Sequence, residues 1–356
     1  MRLLFLSTPV GPIGSGAGGG VELTLTNIAR EMVARGHEVD IVAPSGSRAA
    51  GLRIIEVHGS HQVPMQTMPR DSRLVVSAGS ALAQVWDHAR ALHAGYDLLV
   101  NFAYDLLPFQ LTPILSRPVA HLVSMCSLND LMDRAIQDVA TRFPGTVAVH
   151  TLAQARTYRF PQLLRCVSNG LDLSIYDLCL QPDDCLGWAG RIAPEKGLDH
   201  AIAAARLAGS SIRILGAISD SAYWEEICRQ YPGTDTCHEG FLPTRQFQAR
   251  IGKCRALIMT PRWDEAFGNV AMESLACGVP VVAYRRGGLV EIVRDRETGF
   301  LVPPDDVDDL VRAIGHIGQI DRAACRRQAE AEFSMRSMGD RIETWLQDIL
   351  GACDHA

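Results

Sequence analysis

The sequence of 356 residues contains no long apolar run. None of its apolar stretches approaches the roughly 18–20 residues that a membrane helix requires. The run near the N-terminus, Leu3–Leu6, is too short and too soon followed by Pro9 to form the core of a signal peptide. We therefore expect no integral membrane segment and a location in the cytoplasm.

Paired metal-binding motifs and an excess of positive charge are also missing. Ten cysteines are scattered from Cys126 to Cys353 without a Cys-x-x-Cys pair, and the closest histidines, His58 and His61, have no further ligands nearby in the sequence. This pattern is typical of buried thiols in a reducing compartment and predicts neither disulfides nor a metal site.

The 40 acidic side chains outnumber the 34 basic ones, which disfavours nucleic acid as the main partner.

The composition that remains is that of a folded globular chain, with 47% hydrophobic and 21% charged residues. The length predicts two domains of about 170 residues each, because single hydrophobic cores stop growing well below this size. The first residues read as a strand at Leu3–Leu6, a glycine-rich turn, an amphipathic helix ending at Gly36, and a second strand at Val39–Ala43. This β-loop-α-β order indicates a parallel, doubly wound sheet.

Further strand-like runs repeat this pattern along the chain, and turn-forming residues near 170–184 separate two groups of them. The predicted strands of the first group are Leu74–Val76, Leu98–Val100, Val119–Val123 and Val147–Val149. Those of the second group are Leu186–Ala189, Ile212–Leu215, Ala256–Met259 and Val279–Ala283. A last helix carries one apolar face that must cover either its own domain or the other one: Met338, Ile342, Trp345, Leu346, Ile349 and Leu350.

The glycine-rich turn fits G-x-G-x-x-G by count, from Gly14 to Gly19. A dinucleotide fingerprint would follow its strand at once and would place an acidic residue at the end of the second strand, which here ends in Ala43-Pro44. A nicotinamide enzyme is therefore the weaker interpretation. The glycines still allow the backbone to approach a ligand closely, with the N-terminus of the Glu22–Arg35 helix directed at it. The alternative is a surface turn.

Two cations flank the first turn of the second group of strands. Arg191 and Lys196 lie between a strand end and a helix N-terminus, which is where a diphosphate would sit. The alternative is a pair of solvated surface charges, and this segment alone does not decide between the two.

Seven residues separate Glu265 from Glu273, the first in a loop and the second one turn into a helix. The N–H groups of Asn269 and Val270, near the helix start, can bind an anion without a metal. Glu273 can accept hydrogen bonds from a diol such as a ribose. Two carboxylates solvated at a helix start are the alternative, which the flanking glycines and phenylalanine disfavour.

Several of these segments together resemble the family 4 glycosyltransferases of GT-B fold. The resemblance is carried by Gly19–Glu22, Arg35–Val39, Asn169–Asp172, GRIAPEKG at Gly190–Gly197, EAFGNVAME at Glu265–Glu273, Ala276–Val282, Gly287–Glu291 and Thr298–Val302. It extends from residue 3 to about 350. The opening segment, residues 3–24, is also similar to the cyanobacterial pteridine glycosyltransferases of the UDP-glucose:tetrahydrobiopterin type.

The resemblance implies an α/β architecture of two Rossmann-like, doubly wound parallel-sheet domains that face a central cleft. Residues 1–169 would form the N-terminal, acceptor-binding domain, with the C-terminal helix at 334–356 packing back on it. Residues 170–333 would form the C-terminal, nucleotide-sugar-binding domain.

The resemblance also implies a retaining, metal-independent transfer of a hexose, with UDP-glucose as the donor substrate, no cofactor, and a reduced pterin as the favoured acceptor. Arg191 and Lys196 would neutralise the departing diphosphate, Glu265 would hold the hydroxyls of the donor sugar, and Glu273 would hold the ribose. The remaining donor contacts implied are Gly19 and Gly20 over the reacting centre, Phe241 and Leu242 at the base, and the backbone of Phe267, Gly268, Asn269 and Val270 at sugar and phosphate.

The acceptor side departs from the family pattern. Many members have a histidine where this chain has Ser124, and His121 lies three residues earlier. Glu22, His121 and Ser124 are the candidate acceptor-binding residues, and for His121 a core histidine bonded to the backbone is an equal alternative. Arg262 and Ala266 also replace the commoner Ser and Pro on either side of Glu265.

Other functions remain open at this point. A lipid or polysaccharide acceptor is one alternative, although no basic amphipathic helix suited to a membrane surface is evident. A nucleotide-sugar epimerase of the same fold would need no acceptor. A nucleotide-sugar-binding module without catalysis should have lost one of four side chains that are all present: Arg191, Lys196, Glu265 and Glu273. The sequence predicts no oligomeric state.

Overall fold

The computed structural model describes residues 1–15, 19–61, 69–72 and 76–353. They form two compact units, an N-terminal unit of Met1–Gly170 with Met335–Ala356, and a C-terminal unit of Leu171–Ser334. The resemblance implies boundaries one residue earlier, after residues 169 and 333. Most of the predicted strand at 74–76 lies outside the described residues. Among the residues described, no helix combines the length and apolarity needed to cross a bilayer.

Seven parallel strands build the described sheet of the N-terminal unit, in the order β3-β2-β1-β4-β5-β6-β7. They are β1 Arg2–Leu6, β2 Glu38–Pro44, β3 Arg53–Val57, β4 Leu98–Asn101, β5 Val119–Leu122, β6 Val147–Val149 and β7 Arg165–Cys166. The strand order reverses between β1 and β4, and open parallel sheets bind ligands at such a switch point, outside the carboxyl ends of the strands. The connecting helices are α1 Gly19–Ala34, α2 Ala81–Leu92, α3 Leu106–Leu111, α4 Asp130–Arg142 and α5 Leu152–Ala155.

The C-terminal unit repeats this plan with five parallel strands among its described residues, in the order β12-β11-β10-β8-β9. They are β8 Cys185–Ala189, β9 Ser211–Leu215, β10 Ala256–Met259, β11 Val281–Tyr284 and β12 Gly299–Val302. The helices are α6 Leu198–Leu207, α7 Ser221–Gln230, α8 Thr244–Ile251, α9 Asn269–Ala276, α10 Leu289–Ile292, α11 Val307–His316 and α12 Arg322–Glu332. Strands β10 and β11 are buried along their whole length, as expected for a sheet covered on both faces.

The last helix, α13 Met335–Cys353, belongs to the N-terminal unit. Its apolar face joins the core cluster that contains Leu25 and Ile28 of α1 and Phe5 of β1. Trp345 is fully buried there, and its indole Nε1 donates a 2.7 Å hydrogen bond to the carbonyl of Gly145. The apolar stripe read from the sequence therefore covers the sheet of the first unit.

Candidate functional site

The loops after β8 and β10 are locked together by a glycine. Gly197 has φ 64°, and a Cβ at this position would lie 2.0 Å from the carbonyl oxygen of Thr260. The hydroxyl of Thr260 donates a 2.7 Å hydrogen bond to the carbonyl of Gly197. Only glycine permits this approach, which holds the two loops side by side at the carboxyl edge of the sheet.

The loop after β11 fixes Glu265 in the same way. Gly287 has φ 57°, and a Cβ there would lie 2.4 Å from the backbone nitrogen of Glu265. The N–H of Gly288 donates a 2.6 Å hydrogen bond to the carbonyl of Glu265. Three loops thus determine the position of this carboxylate.

The structure brings Lys196 and Glu265 into contact. Lys196 Nζ lies 2.5 Å from Glu265 Oε1, and Trp263 Nε1 donates a 2.9 Å hydrogen bond to the same oxygen. The ammonium also lies 4.6 Å from the centroid of the Trp263 ring. The two charged side chains are only 19% and 14% exposed. Sequence reasoning selected Lys196 and Glu265 separately but did not predict their contact. It also missed Trp263, whose only signal was its place two residues before Glu265.

Arg191 lies in the same loop as Lys196. Its Nη2 lies 2.8 Å from Glu195 Oε1, and about a third of its side chain is exposed. Backbone bonds from Gly190 to Leu215 and from Ile192 to Ala217 fasten the loop to the end of β9. Both predicted cations are therefore partly accessible at one edge of the sheet.

Helix α9 begins directly after the loop that carries Glu265. Gly268, with φ 111°, is its N-cap, and the N–H groups of Ala271 and Met272 make the first bonds to the carbonyl of Gly268. Asn269 and Val270 precede these bonds, and such early amides of a helix form an anion-binding end. Phe267 is buried, with its ring edge-on to Phe333 at 5.9 Å between centroids.

Glu273 lies on α9 and is 8% exposed. The hydroxyl of Tyr176 donates a 2.8 Å hydrogen bond to Glu273 Oε1. Burial raises the pKa of Glu273 to about 7, and the Tyr176 hydrogen bond partly opposes this shift. Tyr176 was not selected from the sequence, because it lies 97 residues away along the chain.

Phe241 and Leu242 follow a segment that is tied to the end of β9. The N–H of Gly216 donates a 2.8 Å hydrogen bond to the carbonyl of Gly240. A Cβ on Gly216 would lie 1.9 Å from the carbonyl oxygen of Gly190. Leu242 is half-buried, whereas Phe241 is 58% exposed, so its ring is open to a stacking partner.

Arg262, which the sequence marked as a departure from the family, supports the loop of Lys196. Its N–H donates a 2.8 Å hydrogen bond to the carbonyl of Glu195, and its Nη2 lies 2.5 Å from Asp199 Oδ2. Asp199 also accepts a 2.5 Å hydrogen bond from the hydroxyl of Tyr223. The residue thus links the loop after β10 to the start of α6.

In the N-terminal unit, Gly19 and Gly20 are the first residues of α1, next to residues 16–18, which lie outside the described part of the chain. The carboxylate of Glu22, one of the candidate acceptor-binding residues, accepts a hydrogen bond from the N–H of Gly14. Thr24 Oγ1 donates a 2.8 Å hydrogen bond to the carbonyl of Gly20. Glu22 therefore holds the preceding turn against the start of the helix.

His121 is a core residue of the N-terminal unit. It is 0% exposed, its Nε2 lies 2.8 Å from Thr112 Oγ1, and its Nδ1 lies 3.1 Å from Asn101 Nδ2. Its ring stacks on Phe109 at 4.2 Å between centroids, and burial lowers its pKa to about 3. A side chain without accessible surface cannot touch an acceptor, so the expectation of His121 as an acceptor contact is not retained; its hydrogen bonds run to side chains.

Ser124 is half-buried and follows β5 after one residue. Its Oγ lies 3.0 Å from Nε2 of His150, a buried histidine directly after β6. His150 was not selected from the sequence, where it stands alone. Among the residues described, no group of three histidine, cysteine or acidic side chains is arranged to hold a metal ion.

Comparison with protein families matches both units. Residues 18–175 match the model described as Glycosyltransferase Family 4, and residues 182–331 match Glycosyl transferases group 1. Together the two matches run, with one short gap, over most of the chain.

Among curated proteins, the chain is similar to D-inositol 3-phosphate glycosyltransferases. It is 32% identical to that of Mycobacteroides abscessus over 233 residues, 60% of this chain and 51% of the relative. It is 26% identical to that of Acidothermus cellulolyticus, over 98% of this chain and 89% of the relative. The match thus spans about half the length of the first relative and most of the second.

Solved structures share the fold at low sequence identity. Anabaena Alr3699/HepE in complex with UDP and glucose gives a TM-score of 0.76 at 21% identity, over 98% of this chain and 99% of that one. Sucrose-phosphate synthase from Thermosynechococcus elongatus gives 0.79 at 18% identity, over 99% of this chain and 100% of that one. With both family matches and this fold, the chain belongs to the family 4 glycosyltransferases of GT-B fold, with two parallel-sheet α/β domains.

Proposed function

We propose that this protein transfers a hexose from a UDP-sugar to a small acceptor, and that the favoured hexose is glucose. The transfer would retain the anomeric configuration and would need no metal ion. The observation that carries the proposal is the ion pair of Lys196 and Glu265 beside the N-terminus of α9. A nucleotide sugar offers an anionic diphosphate and a hydroxylated ring, and this site offers a cation and a carboxylate for them.

The diphosphate would be met by Arg191, Lys196 and the early amides of α9. In the transfer, the bond between the anomeric carbon and the diphosphate oxygen breaks and its electron pair leaves with UDP. A bond from the acceptor oxygen to that carbon forms, and the acceptor proton passes to the departing diphosphate. Negative charge grows on the diphosphate in the transition state, where pre-aimed cations and N–H groups stabilise it most.

Glu265 would be released by Lys196 as phosphate takes its place, and would then hold the hydroxyls of the donor sugar. Glu273 would accept hydrogen bonds from the ribose diol, with Tyr176 keeping its carboxylate in place. The exposed ring of Phe241, next to Leu242, would stack on the base. The Anabaena protein with the same fold was solved with UDP and glucose, which supports a UDP-sugar donor.

Two acceptors are candidates. The similarity of residues 3–24 to the pteridine glycosyltransferases favours a reduced pterin such as tetrahydrobiopterin. The relatives named D-inositol 3-phosphate glycosyltransferase favour an inositol phosphate instead. Gly19, Gly20, Glu22 and Ser124 of the N-terminal unit remain the candidate contacts for either.

Mass spectrometry of the pure protein with UDP-glucose, tetrahydrobiopterin and inositol 3-phosphate, with no metal added, tests the proposal. We expect one acceptor to become heavier by one hexose, and Glu265→Ala to abolish this product. Glu297→Ala, which removes a carboxylate from an exposed i,i+3 pair with Arg294, should leave it unchanged.

The other outcomes are separable. Conversion of the nucleotide sugar to an isomer without an acceptor would indicate an epimerase. Binding of UDP-glucose without consumption would indicate a binding module. Consumption of UDP-glucose only in the presence of a lipid or polysaccharide would indicate that this molecule, and not a small molecule, is the acceptor. Failure to bind or consume any nucleotide sugar would contradict the proposal as a whole.

A further inference from the structure

Three residues that lie within two positions of the ends of neighbouring strands in the N-terminal sheet form a hydrogen-bonded row. Ser124 follows β5, His150 follows β6, and Ser168 follows β7. Ser124 Oγ lies 3.0 Å from His150 Nε2, and His150 Nδ1 lies 3.0 Å from the carbonyl oxygen of Ser168. The row lies along the carboxyl edge of the sheet, where open parallel sheets bind their ligands.

The partners of His150 fix its protonation. A carbonyl oxygen can only accept, so Nδ1 carries the hydrogen, and burial lowers the pKa of His150 and keeps the ring neutral. Nε2 then offers a lone pair, and the hydroxyl of Ser124 must donate to it. The proton of Ser124 is thereby directed inward, and the lone pairs of its oxygen remain for a donor arriving from outside.

The same row is connected to the glycine turn at the start of α1. The side-chain amide of Asn169, the residue after Ser168, donates a 2.8 Å hydrogen bond to Thr24 Oγ1, and Thr24 donates to the carbonyl of Gly20. Asn27 Nδ2 donates a 3.1 Å hydrogen bond to the carbonyl of Gly170. Ser168 has φ 60°, a conformation that non-glycine residues rarely adopt, and these bonds fasten the two residues that follow it.

A second histidine–hydroxyl pair in the same unit gives a contrast. Thr112 and His121 are bonded at 2.8 Å, and both are buried in the core. Ser124, in comparison, is half-buried. The two pairs differ in direction, because the hydroxyl of Thr112 donates to the carbonyl of Pro108 and therefore accepts from His121, whereas that of Ser124 donates to His150. Of the two hydroxyl residues, Thr112 is buried and Ser124 is partly exposed.

We propose that Ser124 contacts the acceptor by accepting a hydrogen bond from an O–H or N–H group beside its nucleophilic oxygen, and that His150 is the positioning residue that sets the direction of the Ser124 hydroxyl. This inference rests on the proposed function. The pair itself is polar and uncharged, and it would select an acceptor through a donor group beside the nucleophilic atom.

The test compares Ser124→Ala, His150→Gln and the double variant with Thr112→Val, which removes the hydroxyl of the buried pair. For each we would measure kcat/KM for whichever of tetrahydrobiopterin and inositol 3-phosphate the wild type glycosylates, the Kd of UDP-glucose, and the hydrolysis of UDP-glucose without acceptor. The acceptor kcat/KM should fall about tenfold in each single variant, as for one lost hydrogen bond at the upper end of the usual range. The double variant should fall no further, because the two residues act as a unit.

Donor affinity and hydrolysis should stay within about twofold of wild type in all variants, and Ser124→Thr should recover acceptor kinetics by restoring a hydroxyl. Thr112→Val should lower the melting temperature without changing acceptor kinetics. Wild-type acceptor kinetics in Ser124→Ala, or a loss in Thr112→Val equal to that in Ser124→Ala, would overturn the inference while the proposed function stands. If the wild type transfers sugar to neither probe, the small-acceptor proposal fails, and the inference fails with it.

Discussion

At the scale of single residues, the candidate site depends on one partly desolvated ion pair. Lys196 and Glu265 are 69 residues apart in sequence, and Trp263 beside them donates a hydrogen bond to Glu265. Each is mostly covered, so little water competes for either charge and their electrostatic influence on a ligand is strong. A diphosphate that binds here would take the place of Glu265 beside Lys196, and Glu265 would keep the hydrogen bond from Trp263.

Replacing Lys196 with Met should reduce turnover by about 10²–10³, the usual loss when one pre-aimed donor to a developing anion is removed. Lys253→Met is a matched control, because Lys253 is the other lysine of the chain and is exposed. Release of UDP from UDP-glucose in the presence of acceptor measures both. Equal activity of the two variants would remove Lys196 from the transfer step.

Glu273 makes the stability of the protein depend on pH. Its pKa rises from 4.5 to about 7 in the folded state, so between these values the folded protein holds a proton that the unfolded chain has released. The protonated Glu273 carboxyl stabilises the folded state fully below about pH 4.5, and this stabilisation is lost as the pH rises through 7. The total loss in the free energy of unfolding is about 3 kcal/mol. We expect wild type to lose more stability than Glu273→Gln between pH 5 and 8 in thermal unfolding scans.

Tyr176→Phe provides the control for this prediction. The Tyr176 hydroxyl lowers the pKa of Glu273. Its removal should therefore extend to higher pH the range over which stability falls. Parallel pH profiles of wild type and Glu273→Gln would show that burial of this carboxyl does not shift its titration.

The sequence was sufficient to select Arg191, Lys196, Glu265 and Glu273, because strand ends and helix starts bring their loops to one edge of a sheet. It was not sufficient for Trp263, Tyr176 and His150. Tyr176 and His150 bond to side chains 97 and 26 residues away, and Trp263 packs against the distant Lys196 as well as bonding to the nearby Glu265. No local pattern records these contacts. His121, in contrast, was selected as a site residue and is a core residue. Its place in a strand could not show that Phe109, Asn101 and Thr112 enclose it.

At the scale of secondary-structure elements, glycines decide how closely the loops of the C-terminal unit approach. Gly197 and Gly287 each have a positive φ and each faces backbone of the neighbouring loop. The sequence indicated these turns through its glycines. It did not show β3 or the two-residue β7, because Arg53–Val57 is polar at an edge and Arg165–Cys166 is too short for any periodicity.

Gly287→Ala should displace the loop that carries Glu265, because the added Cβ would lie 2.4 Å from the nitrogen and 2.5 Å from the oxygen of that residue. Gly209→Ala is the matched control: Gly209 has φ 65° and open space around it. Gly209→Ala should cost only the roughly 1–2 kcal/mol of the left-handed conformation. Gly287→Ala should cost more and should also weaken UDP-glucose binding, measured by calorimetry; equal binding in both variants would refute this account of the loop.

At the scale of the whole molecule, the last helix completes the first domain. Arg35 of the N-terminal unit bonds to Asp340 and Glu343 of α13, both at 2.8 Å, and Trp345 fills the core beneath. The apolar stripe of this helix was evident in the sequence. Which domain it covers was open from the residues alone, because a stripe records that a face is buried and not by what.

Trp345→Ala should destabilise the N-terminal unit by about 3–5 kcal/mol, as expected for a large buried aromatic side chain. Trp188→Ala, in β8, should do the same to the C-terminal unit. Peptide-level hydrogen exchange distinguishes them, with protection falling in β1 and α1 for the first variant and in β8 and β10 for the second. Loss of protection confined to α13 itself would mean that the first sheet does not depend on this helix.

A crystal structure of the complete chain with UDP-glucose bound would be the most direct measurement. The account predicts the diphosphate within hydrogen-bonding distance of Arg191, Lys196 and the first amides of α9, with Glu265 on the sugar and Glu273 on the ribose. A nucleotide bound away from the carboxyl edge of the β8–β12 sheet, or with its diphosphate out of reach of Lys196, would contradict it.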